Sequence, residues 1–126
     1  MNAILSIKPQ FVNEIEAGRK LFEYRKSIFR QPVERVYIYA SSPVGRIVGE
    51  FQPVDVVFGV PAAVWEETWQ FSGITKRFFD EYFMGRSSAY AIEIRNFVKY
   101  DIPLDLPLGV HAPQNFCYID SLIAVH

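Results

Sequence analysis

The hydrophobic pattern of this chain comes in short pieces, each stopped by proline, glycine or a polar turn before it grows long. Ala3 to Ile7, Arg35 to Ala40 and Arg46 to Phe51 are rich in β-branched and aromatic residues, which favour strands. Tyr90, Ile92 and Ile94 alternate with Ala91, Glu93 and Arg95, so the span 87–100 predicts one half-buried strand. Residues 113–119 predict a last strand. Helical spacing occurs in three places only. Lys8-Pro9 opens the first, because proline costs no hydrogen bond at the first helical position, and Phe11, Val12 and Ile15 form its apolar stripe. The second covers about Ala62–Gln70, with Trp65 and Trp69 one turn apart. Thr75 caps the third, which runs to about Met84 and carries Phe78, Phe79, Tyr82 and Phe83, a stripe expected in the core. Gly18 and Gly85 are placed to stop the first and third helices in a left-handed conformation.

This order is β-α-β, then strands with two short helices inserted together. It does not alternate as a doubly wound fold does, and it predicts an α+β domain built on a small mixed sheet or barrel with a few peripheral helices. The turn Ser41-Ser42-Pro43-Val44-Gly45 predicts a hairpin between the flanking strands. Pro53 predicts a bend in one long strand that continues through Phe58, since proline cannot donate to a central ladder. The span 101–113 holds three prolines and reads as irregular, with at most one short strand. A single domain over residues 1–126 is expected, because the length suits one core and no repeat or linker interrupts it.

Composition narrows the function classes. No apolar run approaches the length of a membrane span, and the N-terminus lacks the features of a signal peptide, so a cytoplasmic protein is expected. Cys117 has no second cysteine to pair with, and only His111 and His126 accompany it, so neither a structural metal nor a cofactor is expected. Gly-rich phosphate loops, nucleophile elbows and HExxH motifs are missing from the sequence. The net charge of −1 argues against a non-specific DNA coater, yet it hides an asymmetry. Residues 1–48 carry eight Lys or Arg against four Asp or Glu, and residues 49–126 carry five against ten. A local basic cleft suited to phosphate or carboxylate fits that distribution.

Gly18-Arg19-Lys20-Leu21-Phe22-Glu23-Tyr24-Arg25 concentrates this charge where the first helix stops and an extended segment starts. Side chains alternate along a strand, so Phe22 and Tyr24 are expected to bury while Glu23 and Arg25 share an open face or cleft. On pattern alone, a half-buried strand with a solvated ion pair explains the stretch as well.

The spacing Gly-x-Lys-x-x-Glu-x-Arg at Gly18, Lys20, Glu23 and Arg25 resembles the signature of the ASCH domain, a branch of the PUA-like superfamily. Leu5-Ser6-Ile7-Lys8-Pro9 resembles the family's first strand and the start of its helix. The hairpin 36–51, Tyr90-Ala91-Ile92 and Pro113-Gln114-Asn115-Phe116 are similar to later landmarks of a small bacterial and phage-type subgroup. The resemblance covers essentially the whole chain. It implies a PUA-like β-barrel, a cleft at the signature, and RNA or a nucleotide as ligand. It also implies, as an alternative, a metal-independent hydrolase, since relatives include ribonucleases and N4-acetylcytidine amidohydrolases. In the amidohydrolases a lysine acts with a threonine three residues later; Lys20 matches the lysine, but Glu23 stands in the threonine's place.

Two chemistries follow. In a binding module, Lys20 and Arg25 would hold phosphates, Glu23 would accept from an exocyclic amine or orient Arg25, and Tyr24, Tyr37, Tyr39 or Trp65 would stack a base. In an enzyme, Glu23 would be the general base and Lys20 would stabilise developing negative charge. A carboxylate held between two cations is a poor base, which tilts the expectation toward binding and a regulatory role. Ser41 and Ser42 are candidates for the cleft mouth, and Glu50 for a second acid. His111 is expected at the surface and Cys117 as a buried, inert thiol.

Overall fold

The computed structural model describes residues 1–120. The chain runs β1 (Asn2–Ile7), α1 (Pro9–Glu16), β2 (Phe22–Arg25), β3 (Val36–Ala40), β4 (Arg46–Gln52), β5 (Val56–Gly59) and α2 (Pro61–Thr68). After a 3-10 turn at Trp69–Phe71 it continues as α3 (Lys76–Tyr82), β6 (Ala89–Glu93), β7 (Arg95–Leu104) and β8 (Phe116–Ile119). The α+β class is as expected. Among the described residues no helix is long and apolar enough to cross a membrane.

The helix signals act locally as predicted. Pro9 occupies the first turn of α1, and Gly18 follows it at φ 77°, the left-handed conformation that ends the helix region. Thr75 caps α3 by accepting from the Phe78 N–H at 3.1 Å. The hairpin is present too, with β3 and β4 antiparallel.

The strands form two sheets. The larger has the order β7-β4-β3-β1-β8, with β1 and β3 parallel and every other pair antiparallel; the smaller is β2-β6-β5. Closure into one barrel is not among the ladders of the described residues.

Two predicted long strands are each divided between the sheets. Pro53 ends β4 rather than bending it, and Val56–Gly59 pairs with β6 in the smaller sheet. Proline has no N–H to offer the ladder, so the chain leaves one sheet there and enters the other. Likewise 87–100 is not one strand. It changes sheet at Ile94, with Asn96 at φ 54°, and β7 then runs on to Leu104 through residues expected to be irregular. Both crossings lie at one corner, where the Glu93 N–H donates to Asp55 O and the Ile94 N–H to Leu21 O.

Leu5 and Ile7 of β1 pack with Val36 and Ile38 of β3 and with Val12 and Ile15 of α1 in the main core. The alternate residues Ile4 and Tyr37 bury on the opposite face beneath Tyr100, Leu104 and Val110. Both faces of the β1–β3 pair are therefore covered, which is why these strands read as continuous apolar runs. A second core joins Tyr24 of β2 to Val64 of α2 and to Phe79 and Phe83 of α3. Between the two cores the larger sheet, the smaller sheet and α3 border a cavity that opens to solvent.

Candidate functional site

The cavity has a volume of about 600 Å³, within the range of small-molecule sites. Lys20, Glu23, Tyr24, Arg25, Ser41 and Ser42 all line it, so the residues singled out in the sequence converge. Of the two expected settings, an open face or a cleft, the cleft is the one observed, and two of the residues are deeply buried in it. Lys20 is 1% exposed and Glu23 6%. The burial follows from how Lys20 is held. Its backbone N–H donates to Glu14 O, and Lys20 makes an antiparallel bridge with Ser72 in the segment between α2 and α3. Its Nζ donates to Ser72 O at 2.9 Å and lies 3.5 Å from Glu23 Oε1. The ammonium also sits 5.0 Å from the Tyr24 ring centroid and 5.6 Å from that of Phe11, both within cation–π range. Burial pushes the Lys20 pKa below its usual value, and Glu23 pulls the other way.

Arg25 has a different task from the one expected. Its Nη2 donates to Glu23 Oε2 at 2.7 Å and to Ser6 O at 2.5 Å, and its Nη1 donates to Asn115 Oδ1 at 2.7 Å. These bonds turn the guanidinium fork toward protein, which leaves it poorly placed to grip a phosphate by two parallel bonds. Its Nε is buried and has no partner among the described residues. Arg25 is a strut: it ties β2 to β1 and to the segment before β8 while fixing the Glu23 carboxylate.

Tyr24 packs as expected, but as core rather than as a stacking surface. Its hydroxyl is 2.7 Å from Thr68 Oγ1, its ring meets Phe79 edge to face at 5.1 Å, and burial pushes its phenol up to about 12. Tyr37 is buried on the far side of the larger sheet and Trp65 packs on Phe79, so neither lines the cavity. Tyr39 does. Glu50 stands away from the cavity, where it accepts from the Tyr100 hydroxyl and pairs with Arg35. His111 is exposed, as expected. Cys117 is half-buried against Ile4, Tyr37 and Ile47, with its thiol pKa raised by burial.

The aromatic stripe on α3 is shared between two environments. Phe79 and Phe83 are core, but Phe78 and Tyr82 line the cavity with rings nearly parallel, 10° apart in plane and 6.4 Å between centroids. Neighbouring positions on a helix are rotated by about 100°, so 78/82 and 79/83 form two adjacent stripes facing different ways. That offset was the available signal. Asn115 had none of its own, because nothing in the sequence pairs it with Arg25 ninety residues away.

The cavity wall thus combines three cations (Lys8, Lys20 and Arg25), one carboxylate (Glu23) and five aromatic rings (Phe11, Tyr24, Tyr39, Phe78 and Tyr82). It presents a net positive field, flat apolar walls, and one buried acceptor beside one buried donor.

No protein-family profile matches the chain. Over 123 residues it is 27% identical to an ASCH domain-containing ribonuclease of Zymomonas mobilis, a match covering 93% of this chain and 83% of that protein. A stretch of 74 residues is 35% identical to the large ribosomal subunit protein uL22 of Ureaplasma parvum. That match covers 59% of this chain, which spans only 24% of the length of that relative. The crystal structure of ASCH from Zymomonas mobilis superposes with a TM-score of 0.86 at 24% identity, over 94% of this chain and 87% of the other. The chain is thus similar over nearly its whole length to an ASCH domain protein, and it shares the fold of the ASCH structures.

Proposed function

We propose that the cavity binds RNA or a nucleotide, with Lys20 and Glu23 as its polar contacts and Arg25 as the strut that holds Glu23. The observation that carries this reading is the buried Lys20–Glu23 pair in the wall of a 600 Å³ cavity. Burying an ammonium costs several kcal/mol, and an apolar pair would serve packing as well. A ligand that uses the pair gives it a purpose. The aromatic walls suit the faces of a base, the net positive field suits phosphate, and Glu23 suits an exocyclic amine. The name of the Zymomonas mobilis relative, a ribonuclease, points to the same ligand class. A module that binds without turnover acts by occupancy, which makes the role regulatory. We read the two sheets, joined at one corner, as an opened form of the PUA-like barrel.

Calorimetric titration with the four nucleoside monophosphates at low salt tests this. Wild type binds at least one of them, and Lys20→Met and Glu23→Gln each weaken it at least about tenfold, the effect of losing one charged hydrogen bond. Unchanged affinity in both folded variants contradicts the proposal.

A second reading, metal-independent hydrolysis of RNA or an acylated nucleoside, is favoured by the lowered pKa of Lys20. A buried amine that loses its proton more readily is present as the free base over a wider pH range than a solvated one, and it stands here beside Glu23. The readout is turnover of RNA and of N4-acetylcytidine in the presence of chelator. Turnover abolished by Lys20→Met supports it, and turnover that survives Lys20→Met removes it.

A further inference from the structure

Nine of the thirteen Lys and Arg residues are ion-paired within the described residues. The four without a carboxylate partner there are Lys8, Lys26, Arg30 and Arg86, and three of these gather on one feature. Lys8 Nζ lies over the Phe78 ring at 5.9 Å, and Lys26 Nζ over the Tyr82 ring at 4.6 Å. Arg86 is exposed in the turn that closes α3, four residues after Tyr82, and its backbone N–H donates to Phe83 O at 2.9 Å. The three cations come from separate parts of the chain: the residue before α1, the loop after β2, and the turn after α3. Apart from Arg30, the other cations pair with carboxylates among the described residues, even on α3 itself, where Lys76–Asp80 and Arg77–Glu81 pair on the exposed side. The stacked rings of Phe78 and Tyr82 are thus bracketed, at the rim of the cavity, by cations that have no carboxylate partner among the described residues.

We infer that this rim is a track for single-stranded RNA: Lys26 and Arg86 take backbone phosphates on either side of the nucleotide whose base enters the cavity, and Tyr82 with Phe78 carries its neighbour by stacking. Flexible lysine and arginine side chains can swing from ring to phosphate, since a cation–π contact at an exposed site is weak, about 0.5–1 kcal/mol. Stacking on aromatic side chains with cations along the backbone is the common means of holding a single strand without reading every base. A duplex does not fit, because its bases are not free to stack on the rings. The inference rests on the nucleotide reading of the cavity and adds that the ligand is a polymer that extends beyond it.

The test compares the wild-type protein with the double variant Lys26→Gln/Arg86→Gln, both exposed positions outside the cavity lining. Two probes are used, a fluorescent single-stranded 10-mer oligoribonucleotide of mixed sequence and the nucleoside monophosphates, with the duplex of the 10-mer as a control. Far-UV circular dichroism checks that the variant is folded. The track predicts that the 10-mer binds the variant at least about tenfold more weakly, that the slope of log K against log[salt] falls by about 1.4 for two lost phosphate contacts, and that monophosphate affinity is unchanged. An unchanged 10-mer affinity alongside wild-type monophosphate binding overturns the track and leaves the cavity reading intact. Loss of 10-mer binding in the variant, with no monophosphate bound even by wild type, removes the cavity reading and with it the track, leaving only a surface contact at Lys26 and Arg86. Tighter binding of a duplex of the same sequence, or no binding of either probe by wild type, overturns the track.

Discussion

At the scale of single residues, Lys20 and Arg25 are both cations beside Glu23, yet they have opposite tasks. Arg25 holds Glu23, Ser6 O and Asn115 together, so Arg25→Met strips three acceptors of a partner. A loss of about 3 kcal/mol in urea unfolding is expected, as for a broken buried pair. Lys20→Met instead removes a desolvated ammonium and leaves Glu23 still paired to Arg25. Its stability is expected to stay within about 1 kcal/mol of wild type while ligand affinity falls, a separation that a merely structural lysine would not show. The lowered pKa of Lys20 gives this a pH signature. The unfolded state holds the Lys20 proton up to about pH 10.4, and the folded state releases it earlier. The contribution of Lys20 to stability is therefore complete above the unfolded value and is lost as pH falls through the folded one. Tyr24 works the other way: its raised pKa gives stability that is present below pH 10 and lost as pH climbs toward 12. Unfolding free energies of wild type and Lys20→Met, compared between pH 8 and 10, isolate the lysine. Their difference should move in favour of wild type as pH rises, and a flat difference contradicts the shift.

Among elements, the segment between α2 and α3 matters most, because it closes over Lys20. The Leu21 N–H donates to Phe71 O, Ser72 bridges Lys20, and Gly73 packs against the lysine stem at φ 66°. A Cβ on Gly73 would stand 2.4 Å from Lys20 Cβ, so Gly73→Ala must displace the lysine. Ligand affinity is expected to drop at least about tenfold, as for Lys20→Met. Gly85→Ala is the control: the residue has φ 77° but nothing within 4 Å of the added carbon, so it costs about 1 kcal/mol of stability and leaves affinity unchanged. Calorimetry on both variants reads the difference. The helix boundaries were legible in the sequence because Pro9, Gly18, Thr75 and Gly85 act on their own backbone. The clamp was not, because it depends on Ser72 and Gly73 meeting a lysine that lies more than fifty residues earlier. Pro53 shows the intermediate case. Its missing N–H announced an interruption, but whether the strand bends or changes sheet depends on where β6 lies.

For the whole molecule, the cavity exists because two sheets meet. Lys20, Glu23 and Arg25 come from one sheet and the turn leading into it, Ser41 and Ser42 from the hairpin of the other, and Asn115 from the segment before β8. The family resemblance and the cluster on β2 made the location of the site legible. The depth at which Lys20 and Glu23 are buried was not, since strand alternation gives the side a residue faces and not what stands opposite. Asn115→Ala cuts the link between segments and leaves Arg25 Nη1 short of its acceptor. It is expected to lower stability by about 1–3 kcal/mol and to weaken ligand binding through a loosened Glu23, readable by denaturation and titration together.

The central claim, that the cavity around Lys20 and Glu23 is where a nucleotide binds, is tested most directly by the ¹H–¹⁵N NMR spectrum during titration with a nucleoside monophosphate. The account predicts saturable shifts gathered at residues 20–25, at 78–82 and at Gln114 and Asn115, three parts of the chain that each contribute to the cavity wall. Shifts centred instead on the exposed strand around Val56 and Phe58, or a spectrum that ignores every monophosphate, would contradict it.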